Sequence, residues 1–195
     1  MASTPIALID FHVTVDDDTE VRPIHSADAE ELYLLVRENE EHLYPWMGWV
    51  PAQGYTREDM RDFIRRSEKA AREQLQFNAA IVREGKIIGG TGFPVIDWTN
   101  RIAQIGYWLD RSHTGHGLMT QSVRALLTYA FDALEMNRIE IRCATNNKAS
   151  AAVAERLGFT RDGILRQGLL IRDTYVDEYL FSMLRDEWES ADRTP

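Results

Sequence analysis

The chain has 195 residues, 44% of them hydrophobic, enough to bury a sizeable core as a single domain spanning residues 1–195. Its 22 basic and 31 acidic side chains give a formal net charge of −9, a poor basis for gripping nucleic-acid phosphates. No run approaches the roughly 18 apolar residues of a membrane-spanning helix, so neither nucleic acid nor membrane is an expected partner. The acidic balance would draw a cationic partner, such as an amine, at long range. General solubility explains it equally well.

In chain order, the start MASTPIALIDFH lacks the basic opening and apolar core of a secretory leader. Val13–Val15 and Val21–Ile24 flank an acidic turn, Asp16 to Asp18, and read as a hairpin. Ser26 or Asp28 can cap a helix that carries Leu32, Leu35 and Val36 on one face and runs out near Pro45. Tyr44–Tyr55 is aromatic and broken by Pro and Gly, a loop in which Trp46 and Trp49 suit either a core plug or a pocket wall. Thr56 and Asp59 have capping-box spacing and open a helix with Met60, Phe63 and Ile64 turned inward. Phe77–Val82 and Lys86–Phe93 read as strands joined around Glu84-Gly85, and Arg101–Leu109 as the next strand after a turn at Asp97–Asn100.

The stretch from Ile105 to Thr120, IGYWLDRSHTGHGLMT, is the most informative. A strand enters a polar turn with Gly115 and Gly117, then an apolar segment from Leu118 to Met136 reads as one helix against a sheet. Glycines admit positive φ, and the N–H groups of a helix's first turn have no intrahelical acceptor. Together with the positive end of the helix dipole they suit a phosphate. Two phosphate motifs are excluded. The dinucleotide fingerprint needs a third glycine where Thr120 stands, and no Gly-Lys-Ser/Thr of a Walker loop is present.

Arg138–Cys143 alternates as a strand, Asn147 can cap a helix through Leu157, and Gly158 suits its left-handed end. Ile164–Ile171 and Thr174–Leu184 are the last two strands, turning at Arg172-Asp173. The order of elements predicts an α+β fold with a mainly antiparallel sheet covered by helices. The lone Cys143 allows no internal disulfide and fits a reducing cytoplasm; mid-strand, it reads as a structural thiol. His113 and His116 have no third ligand at a recognisable spacing, so no metal is expected.

The ordered set IGYWL, T-G-H-G-L-M-T, N-R-I-E-I, N-x-x-S and R-L-G-F resembles the GNAT acyl-CoA-dependent N-acetyltransferases, over about Val21 to Trp188. The branch it resembles most is the RimJ/RimL type, which acetylates N-terminal amines of ribosomal proteins. The resemblance implies a central mixed, mostly antiparallel sheet flanked by helices in three α/β/α layers. It implies acetyl-CoA as cosubstrate, its pantetheine arm along the backbone of Tyr107, Trp108 and Leu109. The pyrophosphate would sit on main-chain N–H groups of Thr114, Gly115, His116, Gly117, Leu118, Met119 and Thr120. Asn147 would contact the arm, Lys148 and Arg111 would supply nearby charge, and Ser150 would protonate the leaving thiolate. Trp46 and Trp49 would then wall the acceptor, and the relatives' habit of pairing implies a homodimer.

Three positions depart from the family pattern. Ser112 stands where the family motif usually has Arg or Gln, Thr114 where a basic residue is common, and Gln104 where many relatives carry a glutamate base. The general base is thereby unassigned, with Glu40, Glu41 and Asp59 as candidates. That gap favours an α-amine, neutral to roughly a tenth at pH 7, over a lysine neutral at about four parts in ten thousand. The alternatives are acetylation of a small amine and a non-catalytic acyl-CoA-binding regulatory module.

Overall fold

The computed structural model describes residues 11–50 and 54–192. The reading of the first ten residues as no leader, and Pro51 to Gln53 of the aromatic loop, lie outside that range. In chain order the strands are β1 (Val13–Thr14), β2 (Thr19–Pro23), β3 (Phe77–Arg83), β4 (Lys86–Asp97), β5 (Ile102–Leu109), β6 (Arg138–Ala144), β7 (Thr160–Ile171) and β8 (Thr174–Leu184). The helices are α1 (Ala29–Glu38), α2 (Glu40–Leu43), α3 (Arg57–Arg72), α4 (Leu118–Thr128), α5 (Lys148–Arg156) and α6 (Arg185–Asp192).

The expected local signals are met. Thr56 and Asp59 bond reciprocally at the start of α3, and Gly158 follows α5 at φ 84°. The α1 region differs in detail. His25 and Asp28 form the capping pair of a 3₁₀ turn, and Arg22 grips the buried Asp28 carboxylate with two bonds of 2.8 and 2.9 Å. The segment expected as one helix to Met136 is shorter, because α4 ends in a π turn over Tyr129–Ala133, closed by Leu134 N–H on the Tyr129 carbonyl.

The strands form one sheet in the order β1-β2-β3-β4-β5-β6-β8-β7, and every neighbouring pair is antiparallel except β5 and β6. Alternation of side chains sorts the strands' two faces. On one, Ile105, Ile139, Ile141, Phe181 and Met183 pack with Val123, Leu126 and Leu127 of α4 and Ala154 of α5. On the other, Ala80, Val82 and Ile87 pack with Leu32 and Val36 of α1 and Met60 and Ile64 of α3. The result is the three-layer α/β/α arrangement.

The pairing of the two central strands stops short. β5 and β6 are paired only from Ile102↔Arg138 to Ile105↔Ile141. Beyond that point Gly106–Leu109 stays with β4, opposite Gly92–Gly89, while Arg142–Ala144 stays with β8. The two central strands therefore part, and the edge of Gly106–Leu109 that faces β6 carries no strand partner.

Candidate functional site

The gap between β5 and β6 opens toward the turn that links β5 to α4. Asp110 shapes this turn. Its carboxylate accepts from the Ser112 N–H at 3.3 Å, the Ser112 hydroxyl at 2.5 Å and His113 Nδ1 at 2.8 Å. Burial alone would raise the Asp110 carboxyl, but bonds from Ser112, His113 and Asn39 outweigh it and hold the group down at about 2. Thr114 Oγ1 donates to the Arg111 carbonyl at 2.8 Å. Ser112 and Thr114, the departures from the family pattern, are thus spent on building the turn. So is His113.

Gly117 then caps α4 in the left-handed region at φ 78°, with no side-chain bond to the helix. Among the described residues, no protein acceptor takes the N–H groups from Gly115 to Thr120. A Cβ built on Gly115 would meet nothing within 4 Å. Six adjacent donors beside open space at a helix N-terminus fit a multiply anionic group, since each bond to a charged partner contributes about 1.5–3 kcal/mol. Of the two cations expected here, Arg111 lines a cleft with Arg37–His42 and its backbone N–H donates to Asn39 Oδ1 at 2.8 Å, and Lys148 is exposed at the start of α5. Arg156, which the sequence reading did not single out, is the one seated at the cradle, its Nε 3.2 Å from Thr120 Oγ1.

Across the gap, Asn147 caps α5 by accepting the Ser150 N–H at 3.1 Å. This brings Ser150 against Tyr107 of β5. Ser150 Oγ donates to the Tyr107 hydroxyl at 3.1 Å, and that hydroxyl donates to the Ser150 carbonyl at 3.0 Å. Burial pushes the Tyr107 phenol far above its ordinary value, so it stays a proton donor. Tyr107 was expected to contribute only its backbone; the phenol is a functional group that strand alternation alone does not reveal. Cys143 lies beside this pair, and burial pushes its thiol up against an opposing bond from Ser150. That suits the structural role expected of it.

On the other face of β5 lies an apolar cavity of about 350 Å³. Trp49, Tyr55, Met47, Phe63 and Trp108 line it, together with the backbone of Gly90 and Gly106. The Trp49 ring stands 6.2 Å from that of Trp108 and 6.0 Å from that of Tyr55. Gly90 makes room for this wall, since a Cβ there would sit 2.5 Å from the Trp108 indole nitrogen. Trp49, expected to wall the acceptor, lines this cavity. Trp46 is not among the lining residues; its N–H closes a turn on the Leu43 carbonyl, and Met47 supplies that part of the wall.

The loop carrying Met47 and Trp49 is held from far away. Arg172, in the β7–β8 turn, stacks over the Tyr44 ring at 3.7 Å. Its guanidinium donates to the carbonyls of Tyr44, Met47 and Gly48 at 3.1, 3.4 and 3.2 Å. Of the carboxylates considered as base, Asp59 is consumed by its cap, and Glu40 and Glu41 line a separate polar cleft with Arg37, His42 and Arg111. Among the described residues no cluster of His, Cys, Asp and Glu is disposed to hold a metal, and no helix is long and apolar enough to cross a membrane.

Comparison with known proteins agrees with this geometry. Residues 19–160 match the acetyltransferase (GNAT) domain family. The chain is 31% identical to YdaF of Bacillus subtilis (strain 168) over 92% of its own length and 98% of the relative's. It is 30% identical to the ribosomal-protein-serine acetyltransferase of Escherichia coli (strain K12), covering 89% and 97% of the two chains. Among solved structures, the RimL ribosomal L7/L12 alpha-N-protein acetyltransferase in complex with coenzyme A superposes with a TM-score of 0.86 at 28% identity, over 91% of this chain and 99% of that one. The microcin C7 self-immunity acetyltransferase MccE, in complex with acetyl-CoA and AMP, gives 0.86 at 30% identity, over 91% and 98%. A sheet parted between β5 and β6, with an unpaired donor cradle at the mouth of the gap, thus comes with a family match over most of the chain: this protein belongs to the GNAT acetyltransferases.

Proposed function

We propose that the protein transfers an acetyl group from acetyl-CoA to the N-terminal α-amine of a protein, with a ribosomal protein as the acceptor. The observation that carries the reading is the parting of β5 and β6 after Ile105. It leaves the free edge of Gly106–Leu109 running between the N–H cradle of Gly115–Thr120 and the apolar cavity behind Trp108. The strand edge and the Asn147 side chain would hold the pantetheine arm, and the cradle with Arg156 would hold the pyrophosphate. Bound there, the cosubstrate supplies an activated acetyl thioester. Backbone N–H near Leu109 would polarise the carbonyl oxygen. Ser150, backed by the Tyr107 hydroxyl, would deliver the proton to the departing sulfur. Met47, Trp49 and Trp108 would hold the acceptor's first side chain.

The relatives named for ribosomal-protein acetylation support the acceptor class. A second reading, a small amine as acceptor, is favoured by the aromatic closure of a cavity of only about 350 Å³ and by the likeness to MccE. The test is thiol release from acetyl-CoA with a panel containing ribosomal-protein N-terminal peptides, the same peptides with blocked N-termini, and small amines. Turnover confined to free N-termini is expected. Turnover on small amines alone would establish the second reading, and binding of acetyl-CoA without turnover on any amine would leave a regulatory module.

A further inference from the structure

We propose that Glu178 is the general base that takes the proton from the attacking amine. The proposal rests on the N-acetyltransferase reading above and names the group that reading lacks.

The described residues include two buried carboxylates, Asp28 and Glu178, at 7% and 5% exposure. Asp28 is fully provided for by Arg22 and the His25 N–H. Glu178 differs: among the described residues its carboxylate makes no hydrogen bond and no ion pair. Its oxygens are not among the fully buried unpartnered atoms, so the carboxylate keeps contact with solvent while no protein group commits it, as a proton acceptor requires. Arg142, whose charge bears on it, is committed to Glu140 through bonds of 3.0 and 3.3 Å.

Its position in the sheet says what the function is. Glu178 lies opposite Ala144 of β6 and Leu165 of β7. Tyr179, Phe181 and Met183 of the same strand pack toward α4 and α5. Alternation therefore sends Glu178 to the opposite face, the one that carries Trp108 and the apolar cavity. Ala144 is at the end of β6 that has already parted from β5, so Glu178 is on the cavity's face of the sheet at the open end of the gap, outside the cavity's own lining. The Ser150–Tyr107 pair lies toward the α4–α5 face. Proton acceptor and proton donor thus occupy opposite sides of the place where the bond is exchanged.

A bulge in β7 holds the carboxylate there. The register slips between Leu165 and Leu169, and Gln167 N–H anchors the bulge on Asp177 at 2.8 Å. Gly168 then passes so close that a Cβ on it would lie 2.8 Å from Glu178 Oε1. Burial pushes the Glu178 carboxyl up, against a lowering influence from Arg142, which improves a base working near neutrality. The titratable neighbours are Arg142 and Cys143 on β6, the latter on the far face, with exposed Arg166 on β7 and Asp177 on its own strand already engaged.

In the step, the amine nitrogen forms a bond to the acetyl carbon and the carbon–sulfur bond breaks. The proton lost by nitrogen goes to Glu178, directly or through one water, and the sulfur gains one from Ser150. Glu178 then releases its proton to solvent and Ser150 regains one from it, so the sum is an amide and a free thiol with the enzyme restored and no oxidant or reductant required.

The test compares wild type, Glu178→Gln and Gly168→Ala for acetyl-CoA binding by calorimetry and for kcat against pH with saturating acceptor. Glutamine keeps the shape without the charge, so Glu178→Gln is expected to bind acetyl-CoA within about twofold of wild type. Its kcat should fall by about 10²-fold and the acid limb of the kcat profile should vanish. Gly168→Ala, which crowds the carboxylate and leaves its charge, should lower kcat with the acid limb shifted. Either variant, folded, with wild-type kcat and an unchanged profile overturns the assignment. A wild type that acetylates no amine defeats the functional reading instead, and the two failures are distinct.

Discussion

Ser150 and Tyr107 hold each other across the open end of the sheet: the serine hydroxyl donates to the phenol at 3.1 Å, and the phenol donates to the serine carbonyl at 3.0 Å. Neither strand pairing nor helix packing demands this contact between β5 and the first turn of α5. It exists because Asn147 caps α5 at Ser150 and because β5, freed from β6, presents Tyr107 to that turn. Removing the serine hydroxyl should therefore cost chemistry more than binding. Ser150→Ala is expected to lower kcat by about 10²-fold with the Kd for acetyl-CoA nearly unchanged. An unaltered kcat across pH 6–9 would sink the leaving-group role.

The cradle makes a different demand. Gly117 sits at φ 78° directly before the free N–H groups of α4. A branched side chain there pays about 1–2 kcal/mol for the left-handed backbone or twists the donors out of line. Gly117→Val should weaken acetyl-CoA by about tenfold or more in calorimetry. Retained affinity would show that the main-chain donors are not what holds the cosubstrate.

Arg172 should act on the acceptor and leave the cosubstrate alone. Its three carbonyl bonds and its stacking on Tyr44 fix the loop that carries Met47 and Trp49. Arg172→Ala is expected to raise the acceptor KM by about tenfold while the acetyl-CoA KM stays put. Arg172→Lys should recover little, because an ammonium cannot fork to three carbonyls. Steady-state kinetics with each substrate varied in turn reads this directly; equal shifts in both KM values would point to general loosening.

Asp110 gives a pH signature. Its carboxyl is held at about 2 in the fold, against about 3.9 in an unfolded chain. A depressed acid contributes stability above its unfolded value and loses it as pH falls toward the folded one. The part of the stability difference between wild type and Asp110→Asn that comes from the carboxylate's charge should be full at pH 6–7, shrink from about pH 5 and be nearly gone by pH 2. Urea unfolding at a series of pH values measures it, and a difference undiminished at pH 2 would contradict the bonding described for the turn.

What could be read in the sequence was local. The capping pair Thr56–Asp59, the cap of Asn147 on Ser150, the left-handed Gly117 and Gly158, and the alternation of β3 to β6 all involve groups a few residues apart. Their hydrogen bonds and periods depend on neighbours along the chain, not on contacts between distant segments. The order of these signals was enough to bring out the family resemblance, and with it the cradle and the strand edge.

The remainder depended on contacts between distant segments. Whether Trp46 or Trp49 walls the cavity turns on which one faces Trp108, a contact some 60 residues away in the chain. Arg172 reaches back 124 to 128 residues to hold that wall, and the Tyr107 hydroxyl finds Ser150 across 43. Glu178 reads in the sequence as one more acid among 31. Only the folded sheet shows it buried and unpaired, because burial and the lack of a partner are properties of surroundings that a linear pattern does not carry.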